Sequence, residues 1–369
     1  MKFICTQENF NKALLVVSHI AGRSTALPIL NNVLIQAKKG LINLSATNLE
    51  IGVNTQLRGK VEKEGIFTTQ AKLITDYISL LPKKNIEVEL KEQNLYINCE
   101  NHQTYIKGME ANDFPVIPEI ERKQPILIKS NDLKQALSQV IFAITLDESR
   151  PEISGALFFI NNKTLTLVGT DSYRLAEKRI TLNETINSEY KVVVPLRTLQ
   201  EVFRILEDND ESDTTIYINE NQILFLINGE TELISRLIEG QYPDYQQIIP
   251  DKHKTQTKIN VAELSRIIKS AALFCKPGIN DVKLVLNSAK NQLVISATNS
   301  GVGENTITLP IQIEGEENEM VFNYRYLLDG LNNLGTSEAI LEMVGDRVPG
   351  ILKPADNNNY LYLVMPIRQ

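Results

Sequence analysis

Residues 41–54 read LINLSATNLEIGVN, residues 164–175 read TLTLVGTDSYRL and residues 292–304 read QLVISATNSGVGE. Aligned on Thr47, Thr170 and Thr298, the phrases stand 123 and 128 residues apart in a chain of 369, one third of which is 123. Internal repetition at that spacing points to three copies of one domain, an organisation that the length also favours, since 369 residues exceed one ordinary hydrophobic core.

The elements around the phrase keep one order. Each third opens on a helix signal: in the second, Leu133, Ala136, Leu137, Val140, Ile141 and Ile144 form one apolar stripe at helical spacing, with Ser130 or Asn131 as the N-cap. The matching stripes are Phe10, Ala13, Leu14 and Val17 in the first third and Leu264, Ile267, Ile268 and Ala271 in the last. Asn260 and Glu263 have the spacing of a capping box with Asn in place of Ser or Thr. A second helix is predicted over 73–81, 196–206 and 326–334, each after a short extended run, FTTQA, KVVVP or EMVFN. Alternating segments such as 33–38, 86–99 and 215–227 read as antiparallel strands separated by turn residues. Two helices and many strands per copy give an α+β class in which helices cover one face of the sheets. The Pro-containing stretches 114–119 and 242–250 end the first two copies, so the domains are drawn as 1–124, 125–253 and 254–369.

Composition narrows the function. With 43% apolar and 22% charged residues, each domain can bury a core. The opening MKFICTQENF has no apolar run long enough for a signal peptide, and no segment approaches the roughly 18 apolar residues that span a bilayer, so a cytosolic protein is expected, with no membrane partner. Cys5, Cys99 and Cys275 are far apart and odd in number, which argues against a disulfide framework or a zinc site and for small buried apolar residues. The net charge of -7 argues against holding nucleic acid mainly by neutralising many phosphates; any DNA contact is local or weak.

Enzyme chemistry finds little footing. The acidic run 208–213 lacks the Gly of a calcium loop and has Asn219 where a bidentate Glu belongs, so it reads as a solvated loop. Gly301 and Gly303 begin a GxGxxG that Thr306 breaks, and they lie in the third phrase, as a strand turn. His19, His102 and His253 stand in unrelated contexts. Asp171 recurs as Asn48 and Asn299, as suits a turn residue capping its own backbone better than a catalytic carboxylate. A phosphodiester or nucleotide enzyme would need several carboxylates converging on magnesium, and no such cluster is visible. No cofactor or metal is expected. A monomeric binding module remains the second rival.

In order along the chain stand LPILNN at 27–32, SATNLE at 45–50, ANDFP at 111–115, GTDSYRLA at 169–176, QYPDY at 241–245 and the terminal YLVMPIR at 362–368. Together they resemble the bacterial beta sliding clamp family, the DNA polymerase III beta subunit, over essentially the whole chain. The resemblance implies a head-to-tail homodimer, a ring of six similar domains with helices lining the hole and sheets outside. It implies a processivity factor without a catalytic site of its own, whose partners are double-stranded DNA, the catalytic subunit of the replicative polymerase, the clamp loader, and repair polymerases, ligase and mismatch-repair proteins.

Residue by residue, the resemblance carries a partner-peptide pocket onto Ile153, Thr170, Ser172, Tyr173, Arg174, Leu175, Pro243 and Ile248, with Val348, Gly350, Leu363, Met365, Pro366, Ile367 and Arg368. Leu, Ile, Pro and a pliable Met suit a groove for a short peptide with aliphatic or aromatic anchors, while Leu175 or Ile248 alone reads as ordinary core. DNA contacts carry over to Arg23 and Arg150, although Pro151 and Glu152 replace the aromatic residues frequent there. The polar faces of the predicted helices add Lys12, Lys72, Lys134, Arg197, Arg204, Arg266, Lys269 and Arg325, each of which alone reads also as a solvated position. The family's dimer joint places Ile106 against Leu273 and Phe274, positions that read equally as core.

Overall fold

The computed structural model describes residues 1–22, 27–147 and 149–368. Its first third runs β1 (Lys2–Thr6), α1 (Gln7–Ser18), β2 (Asn32–Lys38), β3 (Leu41–Thr47), β4 (Ile51–Leu57), β5 (Gly59–Lys63), β6 (Gly65–Gln70), α2 (Ala71–Leu80), β7 (Asn85–Lys91), β8 (Asn94–Cys99) and β9 (His102–Met109). The second runs β10 (Ile126–Lys129), α3 (Ser130–Val140), β11 (Gly155–Thr170), β12 (Arg174–Pro195), α4 (Leu196–Ile205), β13 (Asp213–Ile218), β14 (Gln222–Ile227) and β15 (Thr231–Arg236). The third runs β16 (Thr255–Asn260), α5 (Val261–Ala272), β17 (Asp281–Asn287), β18 (Gln292–Asn299), β19 (Gly303–Pro310), β20 (Ile313–Gly315), β21 (Asn318–Asn323), α6 (Tyr324–Asn333), β22 (Glu338–Met343), β23 (Gly350–Pro354) and β24 (Tyr360–Val364).

The threefold order read from the sequence is therefore a threefold structure. In each copy the first strand pairs with the strand after the second helix: β1 with β7, β10 with β13, β16 with β22. From there antiparallel hairpins run on through β8 to β9, β14 to β15 and β23 to β24. A second group of strands carries the repeated phrase, namely β2–β4, β11 with β12, and β17–β19. In the second copy these are two long strands, with register shifts around Asn162.

Neighbouring copies are joined by strand pairing. β4 pairs with β15 from Ile51↔Ser235 to Thr55↔Thr231, and β12 pairs with β24 from Arg174↔Val364 to Lys178↔Tyr360. Each of these seams makes one continuous sheet out of two copies. Two compact bodies result, residues 1–133 with 197–237 and residues 134–196 with 238–369. The second copy gives one of its sheets to each body, because each of its sheets continues into a different neighbour.

The helix stripes of the first and last thirds are buried as expected; in the second, Leu133, Ala136, Leu137 and Val140 are buried on α3, which ends before half-buried Ile141 and buried Ile144. Phe10, Ala13, Leu14 and Val17 of α1 lie under β3 and β4, with Phe10 edge-on to Phe3 at 6.0 Å. Leu264, Ile267, Ile268 and Ala271 of α5 are buried likewise. Burying side chains of this size stabilises by roughly 1.5–3 kcal/mol each. Asn260 caps α5 by accepting from the Glu263 amide at 3.0 Å, and Thr6 caps α1 by accepting from Asn9. Ser130 is no cap: it is the first residue of α3, and its hydroxyl bonds Thr214 at 2.9 Å and Ser212 at 3.2 Å. Gly330 interrupts α6 at a helix cost of about 1 kcal/mol because a Cβ there would strike the ring of buried Tyr362. Cys5, Cys99 and Cys275 are buried free thiols, and burial pushes Cys5 up to about 12.

Candidate functional site

The repeated phrase is a turn with its own hydrogen-bond chemistry. In the second copy Thr170 Oγ1 donates to the Arg174 carbonyl at 2.7 Å and accepts from the Ser172 amide at 3.1 Å. Asp171 Oδ1 accepts from the amides of Tyr173 and Arg174, both at 3.0 Å. The first copy repeats every bond: Thr47 with the Ile51 carbonyl and the Leu49 amide, Asn48 with the amides of Glu50 and Ile51. Ser172 and Leu49 share the same left-handed φ of 77°. Asp171 is thus a turn-forming residue, as the recurrence of Asn at its position suggested. In the third copy the Asn299 side chain accepts from the Gly301 amide at 3.0 Å and donates to the Cys275 carbonyl at 3.2 Å, and Gly303 has φ 134° at the head of β19.

At the second-copy turn the side chain of Arg174 gathers residues from distant parts of the chain. Its Nε bonds Asp171 at 3.0 Å, its Nη1 bonds Asp329, and its guanidinium lies 4.7 Å from the Tyr326 ring centre and 5.5 Å from that of Phe142. Burial works against this charge, but Tyr362, Asp329 and Asp171 outweigh it and hold the arginine above its ordinary value. Tyr173 stacks on Tyr326 at 6.4 Å, and the Tyr362 hydroxyl donates to the Tyr326 carbonyl. None of Phe142, Tyr326 or Asp329 was singled out from the sequence; their only signal is spatial.

Beside this turn lies an apolar cluster of Ile153, Leu157, Val168, Leu175, Val193, Tyr242, Tyr245 and Leu363, with Met365 packed on it. Leu175 stands opposite Leu363 across the second seam. The C-terminal run continues over it: the Met365 amide donates to the Tyr173 carbonyl at 2.8 Å and the Ile367 amide to the Val321 carbonyl at 2.7 Å. Ile367 and Arg368 border a cavity of about 520 Å³ with Glu319, Asp346 and Arg347. Tyr173, Pro243 and Ile248 are exposed, Met365 and Pro366 half-buried. Gly350 faces Val364, and Val348 sits in the turn before it; a Cβ on Gly350 would come within 2.6 Å of the Phe322 ring. So the structure brings Ile153, Thr170, Ser172, Tyr173, Arg174, Leu175, Leu363 and Met365 together. Tyr242 and Tyr245 of the QYPDY phrase also belong to the cluster, and burial raises both phenols.

The cations are less uniform. Lys72 on α2, Arg197 on α4 and Arg266 and Lys269 on α5 are exposed, and the last two line a concavity of about 740 Å³ between α5 and α6. Lys134 is half-buried; Lys12 is exposed and pairs with Glu207 at 2.6 Å. Arg325 is exposed at the start of α6. Arg204 has a different role from the one expected: its guanidinium donates to the carbonyls of Leu15 and Val16 at 3.0 and 2.8 Å and pairs with Glu201. It closes the end of α1, where unsatisfied carbonyls and the helix dipole favour a cation. Arg150 reaches Ser172 Oγ at 2.7 Å and so touches the pocket turn. Arg23 lies outside the described residues. Among the described residues no group of three His, Cys, Asp or Glu could hold a metal ion, and no helix is long and apolar enough to cross a membrane.

Among the described residues, two open strand edges stand at positions that correspond to the internal seams. β9 meets β6 only at Gly108 and Met109, leaving one side of 102–107 without a strand partner, and β19 is the outermost strand of its sheet. Leu273, just past α5, is 75% exposed, and Phe274 lies half-buried against Gly303. Ile106 on β9 is 6% exposed, packed within its own copy, and its neighbour Tyr105 is exposed.

Three family models match in succession: the DNA polymerase III beta subunit N-terminal domain over residues 1–118, its central domain over 127–244 and its C-terminal domain over 246–368. A beta sliding clamp of Staphylococcus epidermidis is 30% identical over 382 residues, covering 100% of this chain and 99% of the relative. The DNA polymerase sliding clamp of Bacillus subtilis superposes with a TM-score of 0.94 at 27% identity, over 100% of this chain and 99% of that one. A sliding clamp of Pseudomonas aeruginosa, solved bound to griselimycin, superposes with a TM-score of 0.95 at 25% identity, with both chains fully covered.

Proposed function

The chain belongs to the DNA polymerase III beta subunit family, and from that premise we propose that it is a sliding clamp: two copies close head to tail around duplex DNA and hold the replicative polymerase and other proteins there. One observation carries this. The strand after the repeated turn pairs with the last hairpin strand of the following copy twice within the chain, β4 with β15 and β12 with β24. The third such strand, β19, has no following copy, and the corresponding strand of the first copy, β9, has an open side. A heterologous contact of this kind either closes by rotation or continues into a filament. Closure by a second molecule pairs β19 with β9 twice over and removes every such edge.

A linked ring needs no tight phosphate grip, which accords with the net charge of -7. Weak local contacts fall to Lys72, Lys134, Arg197, Arg266 and Lys269, with Arg23 and Arg150 from the loops; Arg204 is committed to α1. The domains run 1–124, 125–253 and 254–369. The chain has no catalytic site of its own and acts in the cytosol. The cluster around Leu175, Leu363 and Met365, roofed by the Arg174 turn and bordered by Pro243, Ile248 and the terminal Pro366–Arg368, receives short peptide segments of the polymerase, the clamp loader, ligase and repair proteins, whose tethering raises their local concentration at the primer end. Light scattering on the purified chain tests the assembly: a mass of two chains at micromolar concentration supports it, and a monomer over the whole accessible range overturns it.

A further inference from the structure

The three seams can be aligned residue by residue. Thr47 stands opposite Gly52, Thr170 opposite Leu175 and Thr298 opposite Glu304, so the next residues, Val53, Ala176 and Asn305, are equivalent. The last hairpins close at Cys99↔His102 and Ile227↔Thr231, which makes Thr104 the equivalent of Leu233. Inside the chain the central pairs are Val53↔Leu233 and Ala176↔Tyr362, four fully buried side chains. At the open seam the same positions hold Asn305 and Thr104, both half-buried in the single chain. The register that follows runs from Ile106 opposite Gly303 to His102 opposite Ile307.

Asn305 carries a second sign of an unfinished contact. Its carboxamide oxygen is buried without a hydrogen-bond partner, an arrangement that burial penalises and that native structures seldom leave standing. The oxygen would lose no bond by turning toward a new donor at the edge.

We propose that the seam between two copies is polar at its centre, with the Thr104 hydroxyl of one copy donating to the Asn305 carboxamide oxygen of the other where the internal seams have apolar pairs. The inference rests on the ring reading and adds two things to it. The pair fixes register, since a slip of one residue would leave both groups buried unpaired. It also gives this seam a central contact that water can replace as the two copies part, unlike the apolar central pairs of the internal seams.

Subunit exchange between two fluorescently labelled pools of the full chain tests it, with thermal unfolding as the check on folding. Thr104→Val and Asn305→Val should each speed exchange on the order of tenfold or more per seam. The double variant, which installs the apolar pairing of the internal seams, should exchange as slowly as the parent or more slowly, and Thr104→Ser should match the parent. Single effects that simply add in the double variant, or singles that leave exchange unchanged, overturn the polar pair while the dimer stands. A parent chain that never dimerises overturns instead the ring reading beneath it.

Discussion

The two internal seams share a backbone plan and differ in what they bury. At the first, β4 meets β15 through small polar and aliphatic side chains, with the hydroxyls of Thr55 and Thr231 bonded at 2.7 Å and Ile117 seated within 2.6 Å of where a Cβ on Gly52 would stand. At the second, Leu175 takes the place of Gly52, and around it gather Tyr242, Tyr245, Leu363, Met365 and the Arg174 cage. One repeated turn therefore serves at one seam as plain connection and at the other as the rim of a proposed docking groove. The lesson is that duplication supplies the geometry, and a few side chains at equivalent positions decide what it is used for.

The comparison extends to the open third seam, and there the largest effect is expected. Leu273→Glu places a charge in the surface proposed to meet a second copy, which should weaken the dimer about a thousandfold or more. Light scattering should then show a monomer with unchanged unfolding temperature; a persistent dimer removes Leu273 from the interface. Removing residues 365–369 takes away the Met365 and Ile367 bonds to Tyr173 and Val321. Calorimetry with a short peptide bearing aliphatic and aromatic anchors should record a loss of affinity of about a hundredfold, with assembly intact. Unchanged affinity would return the groove to the status of ordinary core.

Smaller effects separate the two internal seams. Arg174→Ala strips Asp171 and Asp329 of their shared cation and Tyr326 and Phe142 of their neighbour. A loss of about 2–3 kcal/mol is expected in denaturant unfolding, together with weaker peptide binding; loss of stability alone would make Arg174 a strut and not part of the groove. Thr231→Val leaves Thr55 without its partner and should cost about 1 kcal/mol with no effect on peptide binding. An effect on peptide binding there would mean that the seams are coupled.

Much of this was legible in the sequence because it depends on local chemistry. The turn needs Thr, then Asn or Asp, at fixed spacing, so Thr47, Thr170 and Thr298 mark the repeat; the stripes of α1 and α5 follow from helical periodicity. What depends on distant residues was not legible. Nothing local announces that Arg174 meets Asp329, 155 residues away, or that Arg204 closes a helix 188 residues earlier. Ser130 looked like a cap, yet its hydroxyl bonds to Thr214 on the neighbouring strand, and Ile106, which read equally as interface and core, is buried within its own copy on the strand whose edge is open.

The most direct test of threading loads the protein onto nicked circular DNA, washes at high salt, and follows release before and after the circle is cut. Retention on the circle followed by prompt loss from the linear product is the predicted result. Equal rates of loss from both would mean adhesion, and no ring.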